Sequence, residues 1–208
     1  QPTMATLLIR HIQALSTQND AEDEHRDAAL FVRDGLIEWV GPDADLPPAL
    51  HSADEVIDGH RHVVVPGLIN THHHMYQSLT RAVPGVQNAE LFGWLQGLYP
   101  MWAGLTPEMV QVSTQVAMAE LLLSGCTTSS DHLYIYPNGV RLDDSIDAAQ
   151  RIGMRFTATR GSMSVGESQG GLPPDRVVED EAFILQDTQR LIEAHHDARF
   201  GAMTHVAV

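Results

Sequence analysis

Residues 63–74 read VVVPGLINTHHH: an apolar run, a Pro-Gly break and then three consecutive histidines. A short continuous apolar run is typical of a strand buried on both faces, so residues 63–65 predict the first strand of a parallel sheet. In an extended chain, residues i and i+2 point the same way, so His72 and His74 can face one metal ion while His73 points elsewhere. Imidazole binds Zn²⁺ and other borderline metals well. The segment therefore predicts a two-histidine metal site just past the carboxyl end of a buried strand.

The alternative for these histidines is an ordinary solvated loop, because the H-x-H spacing by itself is a weak signal. The apolar run, the Pro-Gly break and the lead-in of Asn70 and Thr71 favour the metal site. Active sites of barrel enzymes are built at the same place, at the carboxyl ends of the strands. We therefore expect His72 and His74 to be metal ligands.

The chain after residue 60 alternates between strand and helix patterns. Thr106, Pro107 and Glu108 combine an N-cap, a proline in the first turn and an acid at the positive end of the dipole, which predicts a helix that ends at Gly125. Further strands are predicted at 126–130, 154–159 and 200–208, helices at 143–152 and 178–195, and loop-rich segments at 75–104 and 161–175. This alternation favours a parallel α/β architecture.

The first 60 residues have a different pattern, which predicts a small β-rich unit. Residues 6–15 alternate weakly, and two apolar runs, 29–33 and 36–40, flank Asp34-Gly35. That dipeptide predicts a hairpin, because a type I′ turn needs positive φ at both central positions. We therefore expect two domains, residues 1–61 and residues 62–208.

Composition excludes several classes of protein. Lys and Arg total 12 and Asp and Glu total 27, a formal net charge of -15. No basic cluster is present to bind nucleic acid, and no apolar run reaches the ~18 residues that cross a bilayer. No secretory signal is recognisable at the N-terminus. The single cysteine, Cys126, lies in an apolar run and fits a core position in a reducing compartment. The expectation is a cytoplasmic protein without nucleic-acid or membrane partners.

Other hydrolase and nucleotide-binding signatures are missing from the sequence. There is no G-x-S-x-G elbow, no Walker loop and no G-x-G-x-x-G. One cysteine cannot supply the P-C-x-x-C half of the cytidine-deaminase signature. Cys126 also lacks the electropositive setting of a nucleophilic thiol. The histidine segment is therefore the principal candidate for chemistry.

Residues 66–74, PGLINTHHH, resemble the first-strand signature of the amidohydrolase superfamily. Trp94 and residues 105–108, 124–128, 153–155 and 159–161 resemble its branch of deaminases and chlorohydrolases, which act on purine, pyrimidine and triazine rings. The resemblance covers essentially the whole chain. It implies a (β/α)8 TIM-type barrel, with residues 62–208 forming strands 1–4 of that barrel and residues 1–61 forming part of an N-terminal β-sandwich.

The resemblance also implies a cofactor and its ligands. His72 and His74 would bind one divalent metal, Zn²⁺ first and Fe²⁺ as the alternative. The family adds a histidine after strand five with a glutamate shortly after it, a histidine after strand six and an aspartate after strand eight. None of these matches a position in this chain, so we expect no catalytic acid or base here and expect the polypeptide to continue.

Four further residues are implied as substrate contacts: Gln77, Trp94, Trp102 and Arg160. An amide suits the lactam edge of a purine or pyrimidine, and an indole can pack on a flat ring. Each has an ordinary alternative: a surface glutamine, core tryptophans and a structural salt bridge for the arginine. Asp131 and His132 end the second strand and are expected only to support the site.

The implied reaction is hydrolytic deamination of an aminated purine-like heterocycle, with 8-oxoguanine as the favoured substrate. Guanine, isocytosine or a triazine, by dechlorination or deamination, are the alternatives, as is a non-catalytic scaffold. A homo-oligomer is expected by the same resemblance.

Overall fold

A computed structural model describes residues 5–208 of the chain. It contains two compact units, one ending at Pro66 and one comprising Gly67–Val208. The division falls after Pro66 rather than after residue 61, because Val63 and Val64 pair with a strand of the first unit. Each unit has its own sheet. None of the helices within the described residues is both long and apolar enough to cross a lipid bilayer.

The first unit is built on a five-stranded sheet. Its strands are β1 (Thr6–Ser16), β2 (Glu24–Arg33), β3 (Leu36–Pro42), β4 (Glu55–Asp58) and β5 (Val63–Val64). The strand order is β3-β2-β1-β4, and β5 also pairs with β1. β1 runs antiparallel to β2 and parallel to β4 and β5. Asp34 has φ of 52° and Gly35 has φ of 78°, so the predicted hairpin turn between β2 and β3 is confirmed.

The second unit contains a four-stranded parallel sheet whose strands lie in sequence order. Its strands are β6 (Leu68–Asn70), β7 (Cys126–Leu133), β8 (Arg155–Arg160) and β9 (Thr204–Ala207). Its helices are α1 (Leu91–Trp102), α2 (Pro107–Leu123), α3 (Leu142–Ile152) and α4 (Glu181–His195). The predicted parallel α/β architecture is confirmed. Because parallel strands end at the same edge, the segments after β6, β7 and β8 meet there.

The ends of the helices follow local sequence signals. Thr106 Oγ1 accepts the Met109 N–H at 3.3 Å at the start of α2, and Gly125, just past its end, has φ of 87°. Gly153 ends α3 with φ of 79°. Asp180 caps α4 by accepting two backbone N–H bonds, so this helix begins at Glu181 and not at residue 178.

The prediction that residues 63–65 form a buried strand of the parallel sheet is wrong. Val63 is 68% exposed, and it pairs with Ala14 of β1 in the first unit. The first strand of the parallel sheet is the short β6 that follows the Pro-Gly break. β6 lies at an edge of the sheet, and its Leu68 and Ile69 are largely exposed.

The segment predicted as a loop, residues 75–104, contains the helix α1. This helix was not predicted because it contains Gly93, Gly97 and Pro100, and glycine and proline are weak helix formers. Gly97 allows α1 to pack closely against Val86, because a Cβ at position 97 would lie 2.3 Å from Cγ1 of Val86. α1 packs its buried Leu98, Tyr99 and Trp102 into the core of the second unit. Cys126 is buried in the same core, as predicted.

Candidate metal and substrate site

His72 and His74 lie in the extended segment between β6 and a short 3-10 helix, Met75–Thr80. Their ring centroids are 5.2 Å apart and the rings are nearly perpendicular, at 88°. The structure therefore brings the two predicted metal ligands side by side at the carboxyl edge of the parallel sheet. Two adjacent imidazoles are a donor set that suits a borderline divalent metal.

The ring of His74 is oriented by the neighbouring strand. Its Nδ1 atom lies 2.8 Å from the backbone carbonyl oxygen of His132. A carbonyl oxygen can only accept a hydrogen bond, so Nδ1 carries the proton and donates it. The lone pair of the neutral ring is then on Nε2, which is the arrangement that metal-binding histidines show when the other nitrogen donates.

Two more hydrogen bonds join the end of β7 to the histidine segment. The backbone N–H of His132 donates to the carbonyl oxygen of His73 at 3.0 Å. The backbone N–H of Met75 donates to Oδ1 of Asp131 at 2.7 Å. Asp131 is 1% exposed, and this burial raises the pKa of its carboxyl group to about 7. The segment from His73 to Met75 is thus fixed to β7 at each residue.

His73 has different surroundings from its two neighbours. Burial, followed by the nearby charges of Arg81 and His74, lowers the pKa of its ring below the usual value. Its Nδ1 atom is buried and has no hydrogen-bond partner within residues 5–208. The expectation that His73 points away from the metal stays a prediction.

A cavity of about 570 Å³ opens beside the two histidines. Gln77 and Trp94 line this cavity, so the structure brings these two predicted substrate residues together with the two histidines. Imidazole rings and a glutamine amide supply polar atoms, and aromatic and aliphatic side chains supply the remaining wall. The lining residues are His72, His74, Gln77, Leu91, Trp94, Leu95, Tyr99, His132, Tyr134, Ser162 and Met163.

Two tyrosines hold the side-chain amide of Gln77 by hydrogen bonds. Its Nε2 atom donates to the hydroxyl oxygens of Tyr76 and Tyr134, each at 3.3 Å. With the amide nitrogen so used, the carbonyl oxygen of the side chain is the atom available to accept a bond from a ligand. Gln77 lines the cavity, and its side-chain carbonyl oxygen is left as the acceptor.

Trp102, also expected to contact substrate, is a core residue. Its side chain is 0% exposed, and its Nε1–H donates to Thr80 Oγ1 at 3.0 Å. Its ring packs edge-on against Trp94 with centroids 5.3 Å apart. It therefore supports Trp94 from the core and does not line the cavity.

Arg160 is also placed away from the cavity. Its side chain is 0% exposed and donates to both carboxylate oxygens of Glu179, at 2.8 and 3.0 Å, and to Asp187 at 3.3 Å. Its guanidinium lies 4.3 Å from the centre of the Tyr136 ring. These are the contacts of a structural ion pair, and they differ from the substrate contact expected from the sequence.

His132 and Tyr134 also line the cavity, although neither was expected to contact substrate. The signal that could have found them is the alternation of the strand, since residues i and i+2 share a face. Gly161 is the second signal, because a Cβ there would lie 2.3 Å from Nε2 of His132 and 2.7 Å from Cβ of Tyr134. A glycine directly after β8 therefore leaves room for both side chains.

Within residues 5–208, no group of three His, Cys, Asp or Glu side chains is arranged to hold a metal ion. The two imidazoles are nevertheless compatible with metal binding, because the hydrogen bond at Nδ1 leaves Nε2 of His74 as the donor. A metal held by this pair would need further ligands.

Comparison with known proteins gives a consistent result. A model of the amidohydrolase family matches residues 63–206. The chain is 47% identical over 210 residues to an 8-oxoguanine deaminase from Pseudomonas aeruginosa, a match that covers 99% of the chain and 45% of that protein. It is 35% identical over 217 residues to a hydroxydechloroatrazine ethylaminohydrolase from a Pseudomonas species, covering 99% of the chain and 45% of that protein.

Solved structures resemble the chain at the same coverage. An atrazine chlorohydrolase from Arthrobacter aurescens TC1 in complex with zinc superposes with a TM-score of 0.88 at 31% identity, over 97% of this chain and 46% of that one. A triazine hydrolase described as from the same species superposes with a TM-score of 0.88 at 30% identity, over 97% of this chain and 45% of that one. The chain thus spans less than half the length of these relatives.

Proposed function

Because the chain belongs to the amidohydrolase family, we propose that the whole protein is a metal-dependent hydrolase that removes an amino group from an aminated purine-like heterocycle. The favoured substrate is 8-oxoguanine, which with one water molecule gives uric acid and ammonia. The relative named for that substrate is 47% identical over almost the whole chain. The observation that carries the proposal is the histidine pair, opening on a cavity that also contains Gln77 and Trp94.

His72 and His74 bind the metal in this proposal, His74 through Nε2. Zn²⁺ is the first candidate, supported by the zinc in a structural relative, and Fe²⁺ is the alternative. Residues 67–208 contribute the first four strands of a closed (β/α)8 barrel, and the first unit is part of a β-sandwich. The chain spans less than half the length of these relatives, and in this proposal the remaining metal ligands and the general acid and base lie outside it.

When bound, the metal supplies Lewis-acid activation of the water that attacks the ring carbon bearing the amino group. Gln77 accepts a hydrogen bond from a ring N–H through its carbonyl oxygen, because the two tyrosines occupy its amide nitrogen. Trp94 packs against the flat face of the ring. These contacts orient the ring so that the carbon forms a bond to oxygen, the carbon–nitrogen bond breaks and ammonia leaves.

Hydrolysis of a triazine is the second candidate. It is favoured by the 35% identical relative and by the structural relatives, whose names refer to triazine substrates. The histidine pair would serve equally in dechlorination, since water attacks a ring carbon in both reactions. Chloride release would identify dechlorination, and for deamination the ring that is turned over distinguishes the two candidates.

The test is a substrate screen of the whole purified protein, reconstituted with Zn²⁺ or Fe²⁺. Ammonia release is followed with 8-oxoguanine, guanine, isocytosine and an aminotriazine, and chloride release with a chlorotriazine. We expect the highest kcat/KM with 8-oxoguanine, and we expect His72→Ala to lose both metal and turnover. A higher kcat/KM for the chlorotriazine would favour the second candidate. No turnover of any ring by metal-loaded protein would favour a non-catalytic scaffold.

A further inference from the structure

We propose that Asp131 is a positioning residue for the metal pair: its buried carboxylate holds the backbone amide that directly follows His74 and so fixes the direction of the His74 ring. The inference rests on the proposed metal site, because it assigns a role to a residue that does not itself touch the metal. Asp131 would act through the backbone of the histidine segment.

The geometry around Asp131 is specific to that role. Oδ1 is 2.7 Å from the Met75 nitrogen, and the carboxylate is almost completely buried. Burying an ionisable group is unfavourable unless it gains hydrogen bonds. The side chain of Met75 is itself 0% exposed, so the residue after His74 is fixed at its side chain and at its amide.

The local backbone explains why an acceptor is needed there. The backbone changes direction after His74, whose φ is -133° and ψ is 83°, and Met75 begins the 3-10 helix Met75–Thr80. The first N–H groups of a helix have no partner within the helix. The Asp131 carboxylate accepts a hydrogen bond from one of them, the Met75 N–H, and so fixes the position at which the chain turns.

The other bonds between β7 and this segment involve the backbone of His132. They fix the segment in the same register, but a side-chain substitution does not remove a backbone carbonyl or N–H. Asp131 is the β7 residue that contributes to the set through its side chain. It is therefore the residue through which the positioning can be tested.

The experiment measures the dissociation constant for Zn²⁺ of the whole protein by competition with a chromophoric chelator. Asp131→Ala removes the acceptor of the Met75 N–H bond. Asp131→Thr also removes it, because the threonine hydroxyl is too short to reach this amide, and threonine is well suited to a strand. Both should weaken zinc binding by about 10–100-fold, the usual cost of losing a partner behind a metal ligand. Asp131→Asn keeps an oxygen acceptor and should lose less than about tenfold.

Two controls separate positioning from general destabilisation and from failure of the site. Ile146→Val alters the fully buried core of α3 without touching the histidine segment and should bind zinc as the unaltered protein does. His72→Ala removes a proposed ligand and should abolish binding. If His72→Ala keeps its zinc, the metal site itself is wrong.

The inference is overturned if folded Asp131→Ala binds zinc as tightly as the unaltered protein, or if Asp131→Asn loses as much as the alanine variant. It is also overturned if Ile146→Val loses as much. Folding is checked by far-ultraviolet circular dichroism, and Asp131→Thr decides if the alanine variant does not fold.

Discussion

The Nδ1 atom of His74 donates a hydrogen bond to the backbone carbonyl oxygen of His132 across 2.8 Å. This one contact joins the end of β7 to the segment that follows β6, and it selects the ring tautomer. With the proton on Nδ1, the Nε2 atom is left as the electron-pair donor. The two nitrogens of His74 therefore have separate roles: Nδ1 is structural, and Nε2 is the metal ligand in the proposed site.

Substitutions at His74 should separate these roles. The amide nitrogen of Asn in His74→Asn can occupy roughly the position of Nδ1, so the bond to His132 can persist while the metal donor is lost. His74→Ala loses both, and its metal-free form should be less stable than that of His74→Asn by about 0.5–1.5 kcal/mol, the net value of a hydrogen bond. Urea unfolding of metal-free protein and metal analysis provide the two measurements. Equal stability of the two variants would show that the contact contributes nothing.

Gln77 should govern substrate recognition without affecting the metal. In Gln77→Ala, a lactam N–H of the bound ring loses its acceptor, which costs about 1–3 kcal/mol for a buried polar group. The value of kcat/KM should fall by about 10–100-fold, at 1.4 kcal/mol per decade. Tyr134→Phe removes one of the hydroxyls that orient the amide, so it should show a smaller loss. Unchanged kinetics in Gln77→Ala at full metal content would remove Gln77 from the site.

The two tryptophans should respond differently to substitution. Trp94 lines the cavity, so Trp94→Ala should raise KM. Trp102 is fully buried, and Trp102→Ala should lower the free energy of unfolding by about 3–5 kcal/mol. Steady-state kinetics and urea unfolding of both variants make the comparison. A Trp102→Ala protein with normal stability and a raised KM would restore the substrate contact first expected for it.

Signals encoded by a few neighbouring residues were predictable from the sequence. Thr106 with Pro107, the Asp34-Gly35 turn and the glycines at 125 and 153 fix their structures locally, and the structure agrees at each. The proximity of His72 and His74 was predictable for the same reason, because alternation along an extended segment is a local property.

Features that depend on distant partners were not predictable in this way. Val63 and Val64 satisfy the pattern of a buried strand, yet their pairing partner is β1. Trp94 and Trp102 are the same residue type on one helix, and only the packing of α1 separates cavity from core. The ion pairs of Arg160 were not predictable either, because its partners Glu179 and Asp187 follow a long loop in the sequence.

Arg160 should prove to be a stabilising residue. Its fully buried guanidinium pairs with Glu179 and Asp187, whose side chains are 14% and 12% exposed. Arg160→Ala leaves Glu179 largely buried without its cation, whereas Asp187 keeps its pairing with Arg190. Breaking a buried pair in this way costs about 3–5 kcal/mol. Arg160→Lys keeps the charge but loses the bidentate hydrogen bond to Glu179 and the planar stacking on Tyr136. Its free energy of unfolding should therefore lie between that of Arg160→Ala and that of the unaltered protein.

The decisive comparison for Arg160 is between stability and KM. Because the residue is outside the cavity wall, folded Arg160→Lys should keep the KM of the unaltered protein while its urea midpoint falls. Glu179→Gln is the matched control: it weakens the same ion pair from the other side and should lower the midpoint in the same direction. A tenfold rise in KM at unchanged stability would instead make Arg160 a substrate-binding residue, since a tenfold change corresponds to about 1.4 kcal/mol of lost binding.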